Sequence, residues 1–291
     1  MKPPPFAYAA PRSVADATAL LRASDGDAKL LAGGQSLLPL LAMRLARPSL
    51  LVDLGRIADL DYVREDDGMI AIGAMTTKTA VERSALIRTR QPLLHDATRL
   101  IGHPQIRNRG TVGGSMAQAD PAAEYPAVAV ALGATLRLAG ERGERSVDAA
   151  AFFPSPFTTA LEPSEILTEI RVPMRAAGSG WSVLEIARRH GDFALAGAVV
   201  MLGIESGRIA SARIVLFGVA PVPVRVSAGE AALLGESPGR PAFEHAAACA
   251  RDAVSEPLSD PHASAAYRCH LAGVLVGRGL AEAAARAEGS S

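Results

Sequence analysis

Two stretches of this 291-residue chain, KLLAGGQSLL at 29–38 and RGTVGGSMAQ at 109–118, each set two adjacent glycines and a small hydroxyl residue after a short apolar run. Glycine permits positive φ and lets a ligand approach the main chain without a Cβ in the way. Consecutive N–H groups in such a turn cradle an anion, and a following helix start adds partial positive charge. A single Gly-Gly turn is equally a structural turn. Its repetition with a matching hydroxyl suggests two loops closing on one ligand, and a diphosphate suits that arrangement. Neither stretch is G-x-G-x-x-G, and neither carries the Gly-Lys-Ser/Thr of a P-loop, so a Rossmann domain and a nucleotide hydrolase fit poorly.

The flanks of the second stretch leave two readings open. Arg107 and Arg109 precede it, and Asp120 and Glu124 follow it. Either the arginines neutralise phosphate while the acids accept bonds from ribityl or ribose hydroxyls, or the two sets pair with each other at the surface.

Thirty Lys+Arg balance thirty Asp+Glu, so no global basic field draws the chain to nucleic acid or an anionic membrane. No run of about 18 uncharged residues suggests a membrane span. The start, MKPPPFAYAAPRS, lacks the apolar segment of a secretory signal, so a cytoplasmic location is expected. Cys249 and Cys269 form no C-x-x-C pair and read as free thiols, which speaks against a cluster or structural zinc in this chain. No metal site is expected from His262 and His270 either, and His95, His103 and His190 are weighed only as proton carriers.

The pattern of elements predicts an α+β protein in three parts. Ser13 opens a helix in a capping-box arrangement with Asp16. A strand over 29–32, a helix over 37–45 and a strand over 50–54 follow, making a small α/β unit over 1–57. Residues 58–175 begin with a hairpin around Glu65–Gly68, continue through helices over 77–85 and 92–101, and reach the apolar run 126–138 and a strand over 166–172. Beyond the Pro/Gly-rich stretch 173–180, strands over 181–187, 194–204 and 212–219 precede helices over 228–234, 241–254 and 264–287. They make a C-terminal unit over 176–291.

The segments AGGQSLLPLLAMRLARPSLLVDL, IGAMTTKTAVERS and IRNRGTVGGSMAQADPAAEYPAV, in that order, resemble the FAD-binding medium subunit of the xanthine dehydrogenase and aerobic carbon monoxide dehydrogenase family. The resemblance runs from MKPPPFAYAAP through WSVLEIARRHGDFALAGAVV to the helical tail. It implies a two-part FAD-binding domain of the vanillyl-alcohol oxidase (PCMH) type, followed by a small C-terminal domain of antiparallel sheet and helices. It implies noncovalent FAD here, and iron–sulfur clusters and molybdopterin in a small and a large partner subunit, assembled as a dimer of heterotrimers. Electrons would pass from molybdenum through the clusters to FAD and on to an acceptor. The same resemblance assigns Ala32, Gly33, Gly34, Gln35 and Ser36, with Thr111, Val112, Gly113, Gly114 and Ser115, to the diphosphate, and counts Leu30, Leu31 and Leu37 among the cofactor-binding residues. It assigns Asp120 and Glu124 to the sugar-alcohol, and Ile101, Leu167 and Phe193 to the flavin's surroundings. Single-chain relatives carry a flavin-approaching lysine near Leu184. No catalytic acid or base is expected, because the isoalloxazine carries the redox chemistry. The alternatives are an FAD-free scaffold subunit and a free-standing flavoprotein oxidase. On this reading, Gly113→Val loses FAD with the fold intact.

Overall fold

The computed structural model describes residues 2–289. Its first unit is a three-stranded parallel sheet in the order β1-β3-β2, built from β1 (Ala7–Ala9), β2 (Ala28–Leu31) and β3 (Leu50–Asp53). The helix α1 (Val14–Ala23) starts where Ser13 Oγ accepts the N–H of Asp16 at 3.0 Å, as its capping pattern predicts. It buries Ala17 and Leu21 in a small core with Val52, Leu54 and Ile57. The next helix, α2 (Leu37–Ala42), is shorter than its apolar run suggests. Arg44 takes φ 60°, the N–H of Leu45 reaches the carbonyl of Leu40 at 2.9 Å, and that of Arg44 reaches Leu41 at 3.0 Å. This Schellman closure ends the helix before Pro48 has any part in it.

The second unit opens with the hairpin β4 (Val63–Asp66) and β5 (Met69–Gly73), turned at Asp67 and Gly68, both at positive φ. Helices α3 (Lys78–Arg83), α4 (Ala85–Arg90), α5 (Pro92–Leu100), α6 (Pro104–Arg107), α7 (Val112–Gln118) and α8 (Glu124–Leu132) follow. The chain then forms β6 (Thr135–Gly140), β7 (Gly143–Asp148), α9 (Ala149–Phe152) and β8 (Ile166–Pro173). These strands complete an antiparallel sheet in the order β4-β5-β8-β6-β7. The apolar run 126–138 is thus half helix and half strand, divided at Gly133 with φ 63°. The helix is buried on nearly all sides, so no polar face marks it in the sequence.

The third unit is the antiparallel sheet β12-β11-β10-β9, from β9 (Ser179–Ala187), β10 (Ala194–Glu205), β11 (Arg208–Phe217) and β12 (Val224–Arg225). One face carries Ala196, Val200, Leu202 and Leu216 against α10 (Ser227–Leu233), α11 (Arg240–Asp252) and α12 (Ala265–Glu288). The opposite face carries Val183, Val199, Val215 and Phe217 into the same core as Leu94, Tyr125 and Val128 of α5 and α8. Trp181 Nε1 donates to Asp96 Oδ2 at 3.0 Å, and the Gly218 N–H donates to the Pro121 carbonyl at 2.8 Å. The sheet is therefore covered on both sides, once by its own helices and once by the second unit. Cys249 and Cys269 are free thiols beside the helical core.

At Gly180 the backbone of α12 lies directly on β9, and a Cβ there would fall on the Ala283 carbonyl and 2.7 Å from the Ala287 nitrogen. Overpacking against backbone costs about 2 kcal/mol, so Gly180→Ala lowers the thermal midpoint by roughly 5 °C. An unchanged melting curve would mean that α12 sits further from the sheet.

Candidate functional site

The two glycine loops touch. A Cβ on Gly33 would fall on the Arg109 carbonyl and 2.8 Å from Gly110 Cα, and one on Gly114 would come within 3.4 Å of Ala32 Cβ. Gly33 is therefore required by the approach of one loop to the other. Gly34 is required by its backbone, with φ 74°. Leu30 and Leu31 end β2 beneath the first loop, Leu37 opens α2 beyond it, and Gln35 Nε2 donates to the Gly33 carbonyl at 3.1 Å.

The loops differ in what they offer a ligand. Across Gly33, Gly34, Gln35, Ser36 and Leu37, no backbone N–H meets an acceptor within the described residues. Four of these residues are half-buried and Ser36 is exposed, and the row of open amides runs straight into the start of α2, an arrangement able to receive an anion. The second loop is instead the first turn of α7. Thr111 is its N-cap, with Oγ1 accepting the Gly114 N–H at 3.0 Å. The Val112 and Gly113 amides donate to the carbonyls of Thr76 (3.0 Å) and Ala74 (2.9 Å), and the Ser115 amide turns back to Thr111 (3.2 Å). The symmetrical reading of two strand–Gly-Gly–Ser cradles is corrected here: the first loop presents amides, and the second presents hydroxyls. Gly113 is buried against Ala74, whose Cα would lie 2.8 Å from an added Cβ. Gly113→Val consequently disturbs the fold itself and is no clean probe of a ligand.

Behind the second loop lies a charged cluster. Lys78, at the start of α3, is only 8% exposed, and its Nζ stands 3.5 Å from Ser115 Oγ and 5.5 Å from the Tyr125 ring centre. Glu124, at the start of α8, is also buried, and burial raises its pKa to about 7. Asp120 accepts the Ala122 N–H at 2.9 Å, and burial raises its pKa too. From the C-terminal sheet, Glu185 faces this cluster. Its pKa is pushed to about 8, by burial first and by the Glu124 charge second, and its buried Oε2 has no hydrogen-bond partner.

Neither open reading of the arginines holds in its simple form. Arg107 turns to Glu82 at 2.9 Å and to the carbonyls of Ile101 (3.2 Å) and Gly102 (3.0 Å), away from Asp120 and Glu124. Arg109 is exposed. Ile101 caps α5 and Leu167 lies on β8, both in the second unit's core. Phe193 is 70% exposed just ahead of β10. Its loop is seated by Gly191, at φ 85°, whose Cβ would meet His103 Nδ1 at 2.9 Å, so Phe193 is carried on a loop beside Ile101–His103.

Sequence reasoning missed Lys78 and Glu185 as site residues. Both stood in the conspicuous segments, IGAMTTKTAVERS and WSVLEIARRH, but only tertiary burial marks them. The register of β9 also shows why Leu184 misleads. Leu184 packs towards the C-terminal helices, whereas its neighbour Glu185 points to the second unit, because adjacent strand residues face opposite ways.

Comparison with known proteins supplies the family. A profile described as the FAD binding domain in molybdopterin dehydrogenase matches residues 4–175, and one described as the CO dehydrogenase flavoprotein C-terminal domain matches residues 181–283. This chain belongs to the FAD-binding medium subunits of the molybdenum hydroxylase family. The carbon monoxide dehydrogenase medium chain of Hydrogenophaga pseudoflava is 42% identical over 98% of this chain and 99% of its own. The 6-hydroxypseudooxynicotine dehydrogenase complex subunit alpha of Paenarthrobacter nicotinovorans is 41% identical over 99% and 97%. In solved structures, the Hydrogenophaga pseudoflava carbon monoxide dehydrogenase chain superposes with TM-score 0.96 at 44% identity, covering 98% of this chain and 99% of its own. Quinoline 2-oxidoreductase from Pseudomonas putida 86 gives 0.94 at 38%, covering 100% and 99%. The chain is therefore an oxidoreductase subunit with the family's two-part FAD-binding domain and C-terminal domain. Among the described residues no helix is long and apolar enough to cross a membrane, and no three metal-binding side chains gather. The open amide cradle fits the diphosphate of FAD, and the buried acids fit hydroxyl-bearing or ring-edge groups.

The acids give a pH signature. Unfolded, Glu185 releases its proton near 4.5; folded, it holds it to about 8. Between those values the folded state binds the extra proton, so stability falls as pH rises and levels off above them. Replacing the acid in Glu185→Gln removes this dependence, and the variant's thermal midpoint gains on wild type progressively from about pH 5 to about pH 9. A difference that does not vary with pH would show Glu185 ionised and solvated throughout.

Proposed function

We propose that this chain holds FAD noncovalently and relays electrons from the iron–sulfur clusters of a small partner subunit to an external acceptor. A large partner subunit oxidises the substrate at molybdopterin, and the assembly is a cytoplasmic dimer of heterotrimers. The observation that carries this reading is the row of open amides from Gly33 to Leu37, packed against the second glycine loop in a chain of this family. The names of the relatives, medium chains and complex subunits, support the partners.

In this reading residues 1–57 and 58–175 clamp the cofactor between them, and 176–291 close over it. Leu30 and Leu31 support the loop Ala32–Ser36, whose amides, with that of Leu37, take the diphosphate. Thr111 and Ser115 add hydroxyls, while Val112, Gly113 and Gly114 hold them in place. Asp120 and Glu124 accept from the sugar-alcohol. Ile101, Leu167 and Phe193 exclude water from the ring system. The bound flavin supplies reversible two-electron and one-electron redox chemistry, and the chain supplies orientation, charge and access. An FAD-free scaffold is disfavoured by the glycines kept at 33 and 34, where the loop approach and the positive φ leave a row of amides open to an anion.

The direct test is the absorption spectrum of the chain purified with its genomic neighbours, before and after acid precipitation. Flavin released to the supernatant, with iron and molybdenum in the same peak, is the expected result; a colourless complex that takes up no added FAD overturns it. Gly34→Val forces a β-branched residue to φ 74° and breaks the cradle without entering a core. Acid-released flavin per complex should fall to about a tenth or less, given the charge-assisted bonds lost. Wild-type flavin content in this variant would mean the diphosphate lies elsewhere.

A further inference from the structure

Among the described residues, three cations are buried: Lys78, Arg107 and Arg268. Arg107 pairs with Glu82 at 2.9 Å and Arg268 with Asp260 at 2.5 Å. Lys78 has no carboxylate oxygen within 4.0 Å, although its ammonium is as deeply placed as the two guanidinium groups. A buried charge without a counter-ion is costly, and folded proteins normally pair or neutralise it. Burial indeed pushes the Lys78 pKa down, while Glu124, the carboxylate that acts on it from α8, is itself pushed towards neutrality. The ammonium therefore stands in want of an anion.

Its position names the anion. The Lys78 N–H donates to the Gly110 carbonyl at 2.9 Å, and its stem runs past Gly110, whose notional Cβ lies 3.6 Å from Lys78 Cδ and Cε. The side chain ends at Ser115 Oγ, 3.5 Å away, over the buried Tyr125 ring. On its other side Gly110 meets Gly33 of the amide cradle. The lysine is thus one layer behind the junction of the two loops. The arginines of this region are turned elsewhere: Arg107 is committed to Glu82, and Arg109 is exposed.

We propose that Lys78 is the counter-ion of the dinucleotide diphosphate, supplying through the second glycine loop the full positive charge that the amides of Gly33–Leu37 lack and orienting the Ser115 hydroxyl towards the anion. This rests on the reading that FAD occupies these loops. The lysine makes the site select a diphosphate-bearing flavin over one without phosphate. Amides supply only partial charges, whereas an ammonium in a low-dielectric layer acts at several ångströms.

The test uses the full chain in its purified complex, stripped of flavin and reconstituted, with Lys78→Met and Lys78→Arg beside wild type. The readouts are the dissociation constants of FAD and riboflavin, and the thermal midpoint of each flavin-free form. Lys78→Met, which keeps the length and loses the charge, is expected to weaken FAD by about tenfold or more and riboflavin far less. Lys78→Arg stays near wild type. The flavin-free midpoint of Lys78→Met stays level or rises, because an unpaired buried charge has gone. FAD binding equal to wild type in Lys78→Met overturns the inference, and so do equal losses for FAD and riboflavin with a lowered midpoint, which mark a packing role. A wild-type complex that takes up no FAD overturns the underlying reading, and the inference falls with it.

Discussion

The site depends on one close approach: Gly33 against the backbone of Arg109 and Gly110. A side chain at position 33 would hold the two loops apart, and the junction proposed for the cofactor would open. The contact joins the parallel three-stranded unit to the antiparallel five-stranded one. The cradle amides belong to the first unit, while the hydroxyls and the buried lysine belong to the second. Two small units that share little core across the loops are thereby brought to one anion-binding junction.

The C-terminal sheet acts on the same site by burial. On its face towards α5 and α8 Glu185 stands on the same side as Val183, Val199, Val215 and Phe217, and the Glu124 charge adds to the desolvation that raises its pKa. Desolvation raises Glu124 to about 7 and Glu185 to about 8, so near neutral pH Glu124 holds a proton about half of the time and Glu185 most of it, and both can donate as well as accept. The hydrogen bonds Trp181–Asp96 and Gly218–Pro121 set that closure, and Gly191 seats the Phe193 loop on His103. Affinity, charge and access are thus divided among three units.

Much of the fold was legible in the sequence. Ser13 and Thr77 start their helices as their side chains predict, the acidic turn at 65–68 forms its hairpin, and β9 to β11 fall close to their apolar runs. What failed to show were elements without local contrast. The all-apolar run 126–138 hides a helix–strand boundary, because a segment buried on every side has no period to read. The end of α2 is written in an αL arginine, a conformation rarely adopted outside glycine and asparagine.

By itself the sequence determined where chain direction changes, which residues can take positive φ, and that two glycine loops exist with hydroxyls beside them; its motif order also carried the family. Only the tertiary structure decided what those loops are. The Val112 and Gly113 amides are spent because Ala74 and Thr76 come from the preceding hairpin region to accept them, while those of Gly33 to Leu37 stay open because no segment does. Lys78 is a buried cation only because α8 brings Tyr125 beside it, and Glu185 is a desolvated acid only because β9 packs on the second unit. Hydrogen-bond satisfaction and desolvation are set by neighbours remote in sequence, so the chemistry of an amide or a charge is not fixed until the chain has packed.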